Sequence, residues 1–466
     1  MSLNLPTCQR ASSRACLQPA AVNRPQPLRR VIGVRLAMCT AWAILLASQS
    51  PLLAQSQLAV QNLHTLDNIR PEAKLLALTL EGEWNFAVGK DNTQLAAEQI
   101  VRWGAWTGVR DESAVWLADD SWVCGRLSLS ATGVGVASDW LDVSPLAWNA
   151  VRGLVLAPPR TLNNWLELQT QMLAVQGEED VLWLTNGTRL TGIVRWDEAF
   201  DAPAGQTLQL EVGAGTAVVG DTTGQSIRIP LGEIKAIVFS PTLFGRVAEP
   251  PAALWISLQD GSHLKTTRVD ASPTGVQLAL ANGLQLKSLD FTEQFVGSIV
   301  GLARPGAAGA RFLSELHPAS YRHVPDSSLR WELGVDRDVY GADLHTSQGI
   351  FAGGLATHSV SQVAYRWDGS PARLLAEVRL AAVPPGAAER LGSVTCRILV
   401  ARGGELQTLH EFDLQRVAHS QVPPVELLSV AVQDAQLIVL VTDKSDYGQY
   451  GDHVLWLDAR LTPLQK

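Results

Sequence analysis

Hydrophobic and polar positions alternate along most of this chain, and the alternation is broken at short intervals by Asp, Asn, Gly and Pro. That pattern predicts short antiparallel strands joined by tight turns. Two segments align without a gap. They are "VWLADDSWVCGRL" (115–127) and "LWLTNGTRLTGIV" (182–194), which place Trp116 on Trp183, Ser121 on Thr188 and Gly125 on Gly192. "LWISLQDGSHLKTTRV" (254–269) opens the same way with two extra residues, which we assign to the turn. Each segment reads as a β-hairpin: an apolar-alternating strand, a polar turn, and a second alternating strand. An apolar closing segment follows each one, at 142–156, 227–240 and 286–302. A half-copy opens the series at 75–106. Between the first two hairpins, Leu162, Trp165, Leu166, Met172 and Leu173 recur at helical spacing and predict one connecting helix over 161–176.

A unit of about 45–60 residues with four or five strands describes a small β-barrel repeated in tandem. The recurring phrase, a strand ending in Asn/Asp-Gly and later an Ile-Pro-Leu run before the closing strand, resembles Sm-like and SH3-like barrels. The predicted organisation is a signal peptide with a long n-region at 1–54, small β units at 70–157, and a linker helix at 158–178. Barrel-like units follow at 179–248 and 249–303, and a different domain fills 311–466. Asn186-Gly187-Thr188 has the form of a glycosylation acceptor, but its place between two strands predicts a hairpin turn.

The N-terminus carries Arg29, Arg30 and Arg35 ahead of the apolar run "LAMCTAWAILLAS" (36–48), with a cleavage point after Ala54 in "PLLAQS". This is the layout of an export signal, and the run is too short to span a bilayer. The expected location is secreted, periplasmic or cell-surface, with no membrane span after cleavage; the alternative is that the apolar run is retained as a single anchor. Cys124 and Cys396 are the two cysteines beyond the signal and fall in different predicted domains, so no disulfide and no zinc site is expected. Only 18 % of residues are charged and the net charge is −8, which argues against a nucleic-acid binder. Fifteen Trp against nine Phe and five Tyr suit β-structure and sugar-binding surfaces, although core packing accounts for tryptophan equally well.

Past residue 310 the strands lengthen and the connectors become rich in Gly, Pro and Asp. Eight or nine strands in about 150 residues predict an antiparallel sandwich or jelly roll. One stretch stands apart, "LIVLVTDKSDYGQYGDHVLWLDARL" (437–461), where aspartates, a histidine and aromatic residues lie between two apolar runs.

Gly354, Thr357, His358, Ser361 and Tyr365, then Gly392, Ser393 and Val394, then Thr442, Asp443, Asp452, His453, Trp456, Asp458, Ala459 and Arg460 occur in the order of a known pattern. That pattern also includes a Trp and an Asp-Arg pair upstream of the Thr-His. Over 311–463 the chain resembles the NPCBM domain, the novel putative carbohydrate-binding module. The resemblance implies a galactose-binding-like β-sandwich related to modules appended to secreted glycoside hydrolases. Lys444-Ser445-Asp446 replaces the usual Gly-Asp, and Val454 replaces the usual Ala.

A sugar needs planar donors and acceptors beside an aromatic face. The expected carbohydrate-binding residues are His358, Asp443, Asp446, Tyr450, Asp452, His453 and Trp456. For Trp456 a place in the core is an equal alternative. Asp443, Asp446 and Asp452 with loop carbonyls could instead hold a structural calcium. Asp458 and Arg460, two apart on one strand, are expected to pair with each other. No nucleophile elbow, metal-binding histidine pair or phosphate loop is present, so no catalytic residue is assigned. The expected partner is a glycan or polysaccharide, with envelope proteins as further partners. The alternative is a structural or protein-interaction envelope protein whose sandwich binds no sugar.

Overall fold

The computed structural model describes residues 60–109, 111–196, 207–212, 225–244, 253–289, 292–324, 329–382, 392–416, 424–445 and 451–464. The predicted signal peptide at 1–54 lies outside the described residues, and Ser56–Lys466 forms one compact unit.

In the N-terminal body one strand order recurs four times. Each first strand pairs with the last strand of its own unit, which follows a short helical turn. Gln61–Thr65 is closed by Ile100–Gly104, Ala114–Leu117 by Val151–Val155, Asp180–Leu184 by Ile234–Val238, and Leu254–Leu258 by Ile299–Ala303. The turns before the closing strands are Ala97–Gln99, Trp148–Ala150, Leu231–Glu233 and the helix Thr292–Ser298. The segment read from sequence as a half-copy is therefore complete. Its first strand, Gln61–Thr65, lies upstream of residue 70 and turns at Asp67 and Asn68 without a glycine.

Three hairpins share one turn chemistry. Asp119, Asn186 and Asp260 each accept the backbone N–H two residues on, at 3.1, 2.9 and 2.8 Å. Such Asx turns hold the chain without help from the core. In each, the backbone bond that closes the turn spans four residues: Leu117 to Ser121, Leu184 to Thr188, and Leu258 to Ser262. The two extra residues of the third hairpin therefore lengthen its strand, not its turn as expected. They place Trp255 opposite Lys265, with Ser257 at the position matching Trp116 and Trp183.

The closing strands also pair between units, Leu302 with Trp103 and Leu154 with Ile237, so the four units join in one hydrogen-bonded network over a shared apolar core. The connecting helix, Leu162–Leu173, starts where the Thr161 side chain accepts the Asn164 N–H, and it buries Trp165, Leu166, Leu168, Gln169 and Met172. These pack with Trp106, Trp116, Trp122 and Trp183 in a second, tryptophan-rich core. Cys124 and Cys396 are free and buried in different cores.

The C-terminal sandwich has a six-stranded and a five-stranded antiparallel sheet. Pieces as short as Arg311–Phe312 and Gly334–Val335 take the count past the eight or nine expected from sequence. The first sheet centres on Gly354–His358, His453–Pro463 and Ala372–Leu380, and the second on Ser361–Arg366, Leu437–Lys444 and Ser393–Arg402. Leu374, Ala376 and Val378 face Val394, Cys396 and Ile398 across the core, as period-two alternation dictates. Gly354 is held at φ +150°, and a Cβ there would lie 2.6 Å from the Trp456 carbonyl oxygen. Only glycine fits that approach.

Candidate functional site

His358 is the last residue of its strand, His453 is the first of its own, and the register sets them directly opposite each other. Their rings lie 4.8 Å apart. Trp331 stacks on His358 at 5.3 Å and 17°, and meets Tyr340 and His453 edge-on at 5.1 and 5.2 Å. The Tyr340 hydroxyl is 2.9 Å from His453 Nε2, and His323 packs edge-on against His358 at 5.4 Å. Two exposed or half-exposed aromatic rings thus cover two buried imidazoles at one end of the sandwich. Beside them opens a hollow of about 430 Å³ lined by Tyr321, Arg322, His323, Arg330, Trp331 and Glu332.

Burial pushes the His453 pKa down to about 3, with His358 adding to the effect, so the ring is neutral at physiological pH. Its Nδ1 is buried and has no hydrogen-bond partner among the described residues. Asp452 precedes it, 1 % exposed, and accepts the Ser393 N–H at 3.0 Å. Burial raises the Asp452 carboxyl to about 6, against the Ser359 hydroxyl and the Ser393 N–H. Asp452 therefore ties the Ser359 and Ser393 loops together, and its backbone carbonyl also accepts the Ser359 N–H.

The structure brings His358, Asp452 and His453 together and sets others of the expected residues apart. Trp456 is fully buried in the sandwich core, where Nε1 donates to Thr357 Oγ1 at 3.1 Å. A ring with no exposed face cannot stack on a sugar, so Trp456 takes its core alternative. Asp443 lies on the other sheet, half-buried, with Oδ2 3.2 Å from Arg397 and Oδ1 accepting the Lys444 N–H. Asp446 and Tyr450 lie outside the described residues. For calcium, Asp443 is neutralised by Arg397 and Asp452 turns inward to Ser393, so these two do not form a cage. Among the described residues, no group of three or more His, Cys, Asp or Glu side chains is placed to hold a metal ion.

Trp331, Tyr340, His323 and Arg330 were not singled out from sequence. Trp331 carried a signal as the tryptophan of the family pattern. Asp458 and Arg460 do not pair side chain to side chain: Asp458 bonds Arg102, while Arg460 Nη1 donates to the Asp458 carbonyl and Nη2 to the carbonyls of Thr65 and Asn68.

Residues 310–462 match the NPCBM/NEW2 domain. No curated protein matches the chain. Among solved structures, the chain is similar to the second CBM51 and INT domains of Clostridium perfringens ZmpB in complex with GlcNAc. That likeness has 22 % identity and a TM-score of 0.27, over 43 % of this chain and 40 % of that chain. It is also similar to the CBM51 of Clostridium perfringens GH95 in complex with methyl-galactose, at 17 % identity and TM-score 0.26, over 33 % of this chain and 99 % of that chain. The chain thus spans less than half the length of the first of these. Its NPCBM domain is a carbohydrate-binding type of module, and among the described residues no helix is long and apolar enough to cross a membrane.

Proposed function

We propose that this is an exported, non-catalytic protein that binds a glycan at the cell envelope or on extracellular polysaccharide through the His358–His453 end of its NPCBM domain. The observation that carries the reading is the aromatic cover of Trp331 and Tyr340 over neutral His453, beside a hollow edged by Arg322, Arg330 and Glu332. An indole offers a flat apolar face to sugar C–H groups, and planar guanidinium and carboxylate groups match paired hydroxyls. Asp452 and His358 then position the loops and rings. The N-terminal barrels serve as a spacer that presents the sandwich.

The test is binding of the full chain to arrayed glycans and, for the hits, calorimetric titration of Trp331→Ala, Tyr340→Ala and His358→Ala, each with and without calcium. Loss of binding in these variants, each still folded by its unfolding curve, is expected. A wild-type protein that binds no glycan in either condition would sink the reading.

A further inference from the structure

A second hollow, of about 390 Å³, lies between the barrels and the sandwich, away from the His358–His453 end. It is lined by Trp106, Trp116, Trp122 and Trp255 from three of the four barrel units, by Gln169 of the connecting helix, and by Asp343 of the sandwich. Its rim reaches the surface at exposed Pro305 and Ala352. The walls are held rigidly. His263 is sandwiched between Trp106 and Trp255, at 4.5 and 4.4 Å and near-parallel, and Trp116 stacks on Trp122 at 5.3 Å. Trp106 Nε1 is anchored on the Gly261 carbonyl at 2.8 Å.

The polar groups facing this space are mostly neutral or already engaged. His263 Nδ1 bonds Ser257 Oγ at 2.9 Å, and burial lowers its pKa to about 3. Arg102 is committed to Glu377 and Asp458, Asp120 to Arg152, and Lys265 lies over the Trp255 ring at 5.4 Å. An anion would meet Asp120, Asp336 and Asp343. Gln169 bonds Asp343, yet its Oε1 has no partner among the described residues although the residue is only 8 % exposed. A buried amide oxygen left without a donor is costly, and a ligand hydroxyl would satisfy it.

We infer that this hollow is a second saccharide site, independent of the sandwich end, which takes an uncharged mono- or disaccharide with its apolar face against the tryptophan-lined wall and a hydroxyl on Gln169. Its volume falls in the range of small-ligand sites. Having tryptophan walls from the barrels and an acid from the sandwich, the site would exist only when both are in place.

The test is titration of the full chain with galactose, N-acetylglucosamine, lactose and diacetylchitobiose, followed by calorimetry and tryptophan fluorescence. The Trp331→Ala/Tyr340→Ala double variant should still bind at least one of these sugars with a change in fluorescence. In that background, Trp255→Ala and Gln169→Leu should each weaken binding about tenfold or more, the loss of one or two hydrogen bonds or of part of the apolar wall. If Trp255→Ala fails to fold, Gln169→Leu, which is close in shape, decides alone. The inference is overturned if the double variant binds none of the four sugars, or if binding is undiminished in Gln169→Leu. The opposite pattern, with the double variant binding as wild type and Trp255→Ala binding nothing, would fault the sandwich-end reading instead.

Discussion

Arg102, in the closing strand of the first barrel, lies with its Nε 2.5 Å from Asp458 Oδ2 in the last strand of the sandwich. The same guanidinium donates to Glu377 at 2.9 Å, and Glu377 also receives His64 at 2.8 Å, Asn62 at 3.0 Å and Arg379. A bulge makes this meeting possible. Asp458 adopts φ +50°, and the ladder slips between Leu375, opposite Arg460, and Glu377, opposite Leu457. The extra residue turns the Asp458 carboxylate out of the sheet toward the barrels. Burial alone would neutralise Glu377, but Arg102, His64 and Arg379 hold its pKa well below the usual carboxylate range.

Removing the shared cation should therefore be severe. Arg102→Met leaves buried Asp458 without its cation and takes one of two guanidinium groups from Glu377, which keeps Arg379, and breaking a buried pair from one side costs about 3–5 kcal/mol. Arg397→Met removes a guanidinium that bonds Glu411 and Asp443 near the surface, and should cost less than about 1 kcal/mol. Urea unfolding of both variants measures the contrast. Equal losses would mean that the Arg102 cluster does not join the two bodies.

Acid should act on two opposing sets of buried groups in a defined window. His64, His263 and His453 have folded pKa values lowered to about 4, 3 and 3 from 6.5, so between pH 6 and 4 the unfolded chain takes up three protons that the folded chain does not. Burial raises Asp260 and Asp452 from 3.8 to about 6, so the folded chain takes up two protons that the unfolded chain does not. Burial also raises Asp119, Asp180, Asp336, Asp338 and Asp343, so the two sets of groups oppose each other and single substitutions separate them. Relative to the wild type, Asp452→Asn should lose stability more steeply as pH drops from 6 towards 4, and His453→Gln less steeply. Unfolding free energies at half-unit steps from pH 7 to 4 test this, and profiles for both variants that run parallel to the wild type would contradict it.

The parts of the fold that were legible in the sequence are those fixed by neighbours along the chain. Asp119, Asn186 and Asp260 announce their turns because each bonds the N–H two residues on. The first barrel was only half visible because its opening hairpin lacks both the tryptophan and the glycine of the others. Spatial partners were not legible. Asp443 and Asp452 are close in sequence, but Asp443 lies on one sheet and Asp452 just ahead of a strand of the other, while Arg102 and Glu377 are 275 residues apart and in contact. Trp331 was one tryptophan among fifteen until the structure set it on His358.

Val360 sits at φ +57° in the turn between His358 and Ser361, a conformation that β-branched residues rarely adopt. Its carbonyl accepts the Val324 N–H at 2.9 Å, which ties this turn to the strand bearing His323. Val360→Asn keeps the left-handed geometry at lower steric cost and should raise stability by about 1 kcal/mol. If the strained turn holds His358 under Trp331, the same variant should bind glycan more weakly. A variant that is destabilised by more than about 1 kcal/mol would show that Val360 packing outweighs its strain.

Trp331 and Trp456 allow the site to be separated from the core with three substitutions at two positions. Trp456 is fully buried, and Thr357 Oγ1, which accepts its indole N–H, lies 2.7 Å from Thr442 Oγ1 on the opposite sheet. Trp456→Ala empties a large volume and strands a polar pair, so it should cost about 3–5 kcal/mol. Trp456→Phe, which keeps most of the volume, should fold and bind glycan as the wild type does. Trp331 is only half-buried and has its contacts among site residues. Trp331→Ala should cost about 1 kcal/mol or less in stability and abolish measurable glycan binding. Chemical unfolding and calorimetric titration on the same four proteins give both readings. Binding lost in Trp456→Phe but kept in Trp331→Ala would reverse the assignment, because the sugar would then depend on the packing beneath the loops and not on the ring above His358.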